Sequence, residues 1–184
     1  MIKMKQKKLI PILVLIAIGI SFLFADTKNT PRLGQEITSE EIAKWDISIF
    51  PDGEGLPEGH GSVHEGEKIF QSKCIACHGK NGLGHTADQL AGAQMSLTSQ
   101  YPEKTIGSYW PYATTLFDFI RRSMPMNAPG SLTNNETYSL TVYLLYLNNL
   151  FDKDGKMTAK ELVEVKMPNQ NGFINIYEME IIHK

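Results

Sequence analysis

The chain of 184 residues contains only two cysteines, and a histidine directly follows the second: Cys74, Cys77 and His78. A disulfide across a two-residue gap would restrict the unfolded chain little, and thioredoxin-like redox motifs use the same gap without the histidine. In a Cys-x-x-Cys-His motif each thiol can bond to one vinyl group of a haem while the histidine coordinates the iron. The motif therefore predicts one covalently attached haem c, with Cys74 and Cys77 as attachment residues and His78 as the proximal ligand.

An electron-carrying haem needs a sixth iron ligand, and a methionine thioether is a common one. Met124 and Met126 both lie in the segment Met-Pro-Met, well after His78 in the chain. Met124 is the favoured ligand because the following proline biases it towards extended backbone and stiffens the segment. Met126, a histidine or an open sixth position remain as alternatives. The other four histidines are expected to be solvent-facing or structural: His60, His64, His85 and His183.

Basic and aromatic side chains precede the two methionines. Arg121 and Arg122 could neutralise haem propionates or orient a partner, or could simply be favourable charges at a helix end. Three aromatic residues could pack on the haem edge or could belong to an aromatic core: Tyr109, Trp110 and Tyr112. The residues alone leave both questions open.

The elements that must position these residues are predominantly helical. Ser62 and Glu65 can cap a helix over 63–74 that leads into the haem motif. A second helix is predicted from residue 112 or 114 to 122, and a third opens with a Thr133–Glu136 capping box and runs to about residue 147. Shorter features complete the pattern: a capped helix start at 38–41, an irregular strap rich in glycine and proline at 45–61, a glycine turn at 79–84 that needs positive φ, and a loop-rich stretch at 85–112.

These elements predict an all-α protein whose cytochrome c domain spans residues 62–150. Residues 26–61 form an extended lead-in and strap, and residues 151–184 form a C-terminal extension without a long periodic stretch. Within the extension, residues 152–161 partly match a calcium-binding EF-hand loop. Leu150 occupies the position of its first carboxylate, so a plain exposed turn is expected.

The first 25 residues look like an export segment. Four lysines precede an apolar run from Leu9 to Phe24, which fits a cleaved signal peptide or a retained N-terminal membrane anchor. Either predicts a periplasmic protein. Loss of residues 1–25 would remove four of the 18 basic residues and none of the 20 acidic ones, leaving a net charge of −6. That charge disfavours nucleic acid as a partner and favours a basic docking patch on another protein.

Several longer blocks are more specific than the haem motif. They are Trp-Asp-Ile at 45–47, Pro-Asp-Gly-Glu-Gly-Leu-Pro at 51–57, Ile-Gly-Ser-Tyr-Trp-Pro-Tyr-Ala-Thr-Thr-Leu-Phe-Asp at 106–118, and Met-Pro-Asn-Gln-Asn-Gly-Phe at 167–173. The arrangement of helix, haem motif, methionine loop and terminal helix resembles class I cytochromes c. More narrowly, the chain resembles the cytochrome subunit of the sulfur (sulfane) dehydrogenase of thiosulfate oxidation, and of related sulfite dehydrogenases, over about residues 42–175.

The resemblance implies an electron-transfer subunit whose catalysis resides on another chain. It implies electrons arriving from a molybdopterin-containing sulfur or sulfite dehydrogenase subunit and leaving to a downstream c-type cytochrome or oxidase. Carried onto this sequence, Cys74 and Cys77 attach the haem, and His78 and Met124 ligate the iron. A free periplasmic shuttle to a terminal oxidase is the alternative function, and an open sixth position would instead permit peroxidase-like chemistry or gas binding.

Overall fold

The computed structural model describes residues 34–93 and 95–176, and the chain divides after Trp45 into two units. In the first unit the described part is one short helix, α1 (Ser39–Trp45). Its start is capped as predicted: the Thr38 N–H donates to Glu41 Oε2 at 3.0 Å, and the Glu41 N–H donates to Thr38 Oγ1 at 3.2 Å. The predicted export segment lies outside the described residues. Within 34–93 and 95–176, no helix is long and apolar enough to span a bilayer.

The regular elements of the second unit are nearly all helices, joined by long loops, which confirms the predicted all-α class. Its two strands, β1 (Gly61–Ser62) and β2 (Lys156–Met157), have two residues each and pair antiparallel, with Gly61 opposite Met157. The helices are α2 (Val63–Lys73), α3 (Ile75–His78), α4 (Ile106–Tyr109), α5 (Ala113–Ser123), α6 (Asn134–Leu147) and α7 (Ala159–Glu164), with a 3₁₀ turn at Lys80–Gly82.

Side-chain capping explains where α2 and α6 begin, whereas α5 begins at Ala113 without a side-chain cap. The Glu65 N–H donates to Ser62 Oγ at 3.3 Å at the start of α2. At the start of α6, the Glu136 N–H donates to Thr133 Oγ1 at 3.2 Å and the Thr133 N–H donates to Glu136 Oε2 at 2.9 Å. The predicted positions of α2, α5 and α6 are therefore confirmed. Sequence analysis missed α4, although Thr105 and Ser108 cap it reciprocally, because four residues give no readable periodicity.

The core is centred on the crossing of α2 and α6. A Cβ atom on Gly66 would lie 1.9 Å from the carbonyl oxygen of Ser139, so the two helix backbones touch where residue 66 has no side chain. Beside the crossing, the rings of Phe117 and Tyr138 pack with their centroids 4.5 Å apart. Burial of this apolar surface is the main force that holds α2, α5 and α6 together.

The C-terminal segment contributes more structure than the sequence indicates. Met157, Leu162 and Met167 are 0%, 1% and 4% exposed and join the same core. Of the plain exposed turn expected over 152–161, residues 152–154 are exposed, whereas residues 156–161 contain β2 and the start of α7, and Met157 is buried in the core. Glu161 accepts hydrogen bonds from the backbone N–H and hydroxyl of Thr158, so its carboxylate caps α7.

Candidate haem-binding site

The three residues of the haem motif lie on one turn of chain at the end of α2. Cys74 follows the last residue of α2 and precedes α3, and its carbonyl oxygen accepts the N–H groups of Cys77 at 3.1 Å and His78 at 3.0 Å. Cys74 is half-buried and packs against the core, whereas Cys77 is exposed. Both thiols and the imidazole therefore belong to one short segment of backbone at the end of α2.

The imidazole of His78 is oriented by a backbone carbonyl. Its Nδ1 lies 3.2 Å from the carbonyl oxygen of Asp88. An N–H donated from Nδ1 fixes the ring and leaves the Nε2 lone pair free for a metal, which is the usual arrangement of a metal-bound histidine. Sequence analysis did not identify Asp88, because a carbonyl acceptor carries no side-chain signal.

The glycine turn after the motif brings Asp88 to His78. Gly79 and Gly84 have φ values of +70° and +91°, as predicted for this turn, and the Gly84 N–H donates to the His78 carbonyl at 2.8 Å. A Cβ on Gly79 would lie 2.4 Å from the Gly84 carbonyl oxygen. The Ala87 N–H then donates to the Cys77 carbonyl at 2.9 Å, which directs the chain back over the motif.

Asn148, at the end of α6, ties this returning segment to the rest of the domain. Its Nδ2 donates to the Leu90 carbonyl at 3.1 Å, and its Oδ1 accepts the Gly107 N–H at 3.1 Å. The Leu90 carbonyl also accepts the Ile106 N–H at 3.1 Å. The segment that orients His78 is thus fixed to both α4 and α6, through an asparagine that the sequence did not mark as functional.

Burial changes the chemistry of one of the two thiols. Desolvation raises the pKa of Cys74 to about 11, against a smaller opposing effect of the neighbouring Lys73. The Cys74 thiol is therefore protonated at neutral pH and reacts slowly with oxidants.

The two candidate sixth ligands differ in their surroundings. Met124 caps the end of α5 in extended backbone, at φ −115° and ψ 145°, and packs half-buried against the core. Met126 is 76% exposed. Of the two thioethers, that of Met124 belongs to the packed part of the domain.

The sequence left open the roles of the arginines and aromatic residues that precede Met124, and the structure gives protein partners for some of them. Arg122 forms an ion pair with Asp118, with Nε–Oδ2 and Nη2–Oδ1 distances of 2.8 Å and 2.9 Å. The Trp110 ring packs edge-on against Phe119, with 5.7 Å between centroids, and Phe119 is 43% exposed. Tyr109, Trp110 and Tyr112 are half-buried, and His60, His64 and His85 are exposed as predicted, while His183 lies outside the described residues.

The donor set fits a covalent haem. Two unpaired thiols and an imidazole with its Nδ1 engaged stand on one turn, and a half-buried thioether ends the neighbouring helix. Among the described residues, no group of three or more His, Cys, Asp or Glu side chains could hold a metal ion by itself. A bound haem would supply an iron that alternates between the ferrous and ferric states.

A helical domain with this arrangement is that of a class I c-type cytochrome. A family model described as Cytochrome c matches residues 63–148. Among solved structures, the sulfane dehydrogenase SoxCD from Paracoccus pantotrophus is similar, with 39% identity, a TM-score of 0.75, and coverage of 84% of this chain and 79% of that chain. The chain belongs to the cytochrome c family and carries covalently bound haem c.

Two curated relatives are named thiosulfate dehydrogenase. The protein from Stutzerimonas stutzeri is 27% identical over 90 residues, which are 48% of this chain and 28% of the relative. The protein from Allochromatium vinosum is 27% identical over 115 residues, which are 61% of this chain and 38% of the relative. The chain thus spans about a third of the length of these relatives.

Proposed function

We propose that the chain is the electron-transfer subunit of a sulfur or sulfite dehydrogenase. It accepts electrons from a molybdopterin-containing subunit that oxidises the sulfur compound and passes them to a downstream c-type cytochrome or oxidase. The observation that carries this proposal is the similarity to the sulfane dehydrogenase SoxCD, which extends over 84% of this chain and far beyond the haem motif.

The proposal assigns four residues to the haem. Cys74 and Cys77 attach it, and His78 and Met124 ligate its iron. The carbonyl of Asp88 at 3.2 Å from His78 Nδ1 supports Nε2 as the proximal donor atom. The half-buried position of Met124, beside a 76% exposed Met126, supports Met124 as the distal donor.

The distal assignment has a spectroscopic test. A ferric haem with a methionine ligand has a weak red charge-transfer absorption band, and loss of the thioether abolishes it and lowers the reduction potential. We expect Met124→Ala to lose the band and Met126→Ala to retain it. Retention of the band in Met124→Ala would overturn the assignment.

Contacts between the residue blocks at 106–118 and 167–173 support a partner-binding role for the C-terminal segment. Asn169 Nδ2 donates to the Tyr109 carbonyl at 2.7 Å, and the rings of Phe173 and Tyr109 meet with centroids 5.4 Å apart. Just beyond this anchor, Ile174 and Ile176 are 73% and 67% exposed. A segment fixed to the helical domain at one end, with exposed apolar residues following, suits docking against a second subunit.

The partner can be identified by affinity capture from the native host grown on thiosulfate. The tagged holoprotein should recover an oxidoreductase that contains molybdenum, measured by elemental analysis of the eluate. The haem of the complex should become reduced when sulfite or a sulfane-sulfur compound is added. Capture without molybdenum, combined with a haem that stays ferric with every sulfur donor, would contradict the proposal.

The relatives named thiosulfate dehydrogenase suggest a second function, in which this chain itself oxidises thiosulfate. Sequence identity and coverage bear on the choice between this function and the subunit function. The SoxCD similarity covers 84% of this chain at 39% identity, whereas those two relatives match 48% and 61% of it at 27% identity, which favours the subunit function. Thiosulfate added to the purified holoprotein alone should therefore leave the haem ferric. Reduction by thiosulfate without a partner would favour the catalytic function. Reduction only by a respiratory cytochrome complex would favour the free shuttle to a terminal oxidase.

The proposed location is the periplasm. The predicted export segment at 1–25 and the covalent haem both suit an extracytoplasmic protein. Cell fractionation should find the haem-containing chain with the periplasmic proteins if the segment is cleaved, and with the membrane if it is retained.

A further inference from the structure

Residues 46–60 of the strap are bound to the first turns of α6. Tyr138 Oη donates to the Pro57 carbonyl at 2.9 Å, and Asn134 Nδ2 donates to the Glu58 carbonyl at 3.1 Å. The His60 N–H donates to Asn135 Oδ1 at 3.0 Å. These hydrogen bonds join residues that are 75 to 81 positions apart in the chain.

The other end of the strap reaches the end of α5. Arg122 Nη2 lies 3.4 Å from Ser48 Oγ, while the same guanidinium is held by Asp118 one turn earlier. Arg122 is two residues before Met124. The strap is also folded on itself, because the Phe50 N–H donates to the Glu54 carbonyl at 3.0 Å and Ile49 and Leu56 pack against the core.

The methionine loop, residues 124–132, connects α5 and α6, which we call its two stems. Inside the loop, the Ala128 N–H donates to the Pro125 carbonyl at 2.8 Å and the Ser131 N–H donates to the Ala128 carbonyl at 3.3 Å. Across the described parts of the chain, the hydrogen bonds of residues 125–131 all stay within the loop, whose residues 126–131 are exposed. The position of the loop therefore depends on its stems and on the packing of Met124 and Leu132.

We propose that the strap is a clamp that fixes the two stems of the methionine loop relative to each other and so holds the Met124 thioether on the haem iron. This inference rests on the proposed role of Met124 as the distal ligand. Tyr138, Asn134 and Asn135 on one stem, and Arg122 on the other, are then positioning residues.

The sharpest variant is Tyr138→Phe, which removes the hydrogen bond to Pro57 and retains the ring that packs on Phe117. Tyr143→Phe is the matched control, because Tyr143 is a buried tyrosine of the same helix, 3% exposed, that packs on Phe70 and makes no hydrogen bond to the strap. Asn135→Ala removes the acceptor of the His60 N–H and provides an independent second variant.

The experiment titrates the ferric holoprotein with imidazole, which binds the iron only after the methionine leaves. One hydrogen bond typically changes such an equilibrium by roughly threefold to tenfold. Tyr138→Phe and Asn135→Ala should each raise imidazole affinity by about that factor, and Tyr143→Phe should not. In Tyr138→Phe, the red charge-transfer band should also disappear on heating at a temperature well below the one at which far-ultraviolet circular dichroism reports unfolding.

The outcomes separate the clamp from the ligand assignment. If Tyr138→Phe leaves imidazole affinity unchanged, or if its charge-transfer band and helical signal are lost together, the strap is a stabilising element only and the clamp is wrong. If Met124→Ala keeps the charge-transfer band, the ligand assignment is wrong and the clamp falls with it. Loss of the band in Met124→Ala with no effect of Tyr138→Phe overturns the clamp alone.

Discussion

His78 depends on a partner that side-chain mutagenesis cannot remove, because the acceptor at its Nδ1 is the backbone carbonyl of Asp88. The orientation of the ring is therefore a property of the glycine turn and of Asn148, which fix the path of the chain through residues 79–90. At the same scale, burial raises the pKa of the free Cys74 thiol to about 11, so this thiol is protonated before haem attachment. The orientation of the His78 ring thus depends on the path of the backbone, and the acidity of the Cys74 thiol depends on its burial.

Glu136 is a residue whose contribution should depend on pH. Its carboxylate accepts a hydrogen bond from Lys73 Nζ at 2.8 Å, the largest cause of a pKa below the usual 4.5, and it also caps α6. Because the folded pKa is lowered, the unfolded chain takes up the proton first as pH falls. The stabilisation is complete above about pH 4.5 and is lost as pH falls through the lowered pKa of the folded state.

We expect Glu136→Gln to lower the free energy of unfolding at pH 7 by roughly 0.5 kcal/mol, as for a half-exposed ion pair. The difference from the unsubstituted protein should shrink as pH falls through the lowered pKa of the folded state and vanish below it, where both carry a neutral side chain. Urea unfolding measures this without adding salt that would screen the pair. Lys73→Met is the matched control and should give a similar loss at pH 7, with little further loss in the double variant. A difference that persists at low pH would contradict this account.

At the scale of elements, the α2–α6 contact relies on the missing side chain of Gly66. A Cβ there would meet the Ser139 carbonyl oxygen at 1.9 Å and Tyr143 Cβ at 2.6 Å, and backbone cannot move aside as a side chain can. The direction of α2, and with it the position of the haem motif at its end, follows from this crossing.

Gly66→Ala should therefore destabilise the holoprotein by about 2–3 kcal/mol through overpacking. Helix propensity alone predicts the opposite sign, a gain of up to about 1 kcal/mol for alanine over glycine inside a helix. Thermal or denaturant unfolding measures the difference. Gly130→Ala is a control with positive φ and open space around its Cβ, and it should lose only about 1 kcal/mol. A more stable Gly66→Ala variant would refute the close crossing.

At the scale of the whole molecule, the helical domain that holds the site is completed by residues beyond α6. β2 pairs with β1 immediately before α2, and Leu162 of α7 is 1% exposed in the same core as Phe70 and Phe117. The part of the chain that the sequence presents as an extension therefore stabilises the helices that carry the haem motif and the methionine loop.

We expect Leu162→Ala to lower the free energy of unfolding by about 2–4 kcal/mol, the cost of deleting a fully buried leucine side chain. Val163→Ala, at a neighbouring apolar position that is 39% exposed, should cost less than about 1 kcal/mol. Denaturant unfolding of the holoprotein, followed by haem absorption and by circular dichroism, compares the two. Equal effects would show that the C-terminal segment is not part of the cooperative core.

The sequence by itself determined the haem motif and the long helices, because these features are local. Cys74, Cys77 and His78 lie within one turn whatever the rest of the fold does, and the caps at Ser62 and Thr133 act within three residues. The all-α class and the cytochrome c family followed from the same local patterns, and the narrower resemblance to a sulfur dehydrogenase subunit from the longer residue blocks.

Only the tertiary structure decided which groups support the site. The Asp88 carbonyl meets His78 across a glycine turn, Asn148 meets Leu90 across 58 positions, and Tyr138 meets Pro57 across 81. Leu162 is a core residue because α7 packs on the helical domain, and the six residues of α7 are too few to show a readable periodic pattern. Such contacts depend on burial and on hydrogen bonds between segments that are distant in the chain. Residue type and local periodicity do not predict which two distant residues will meet.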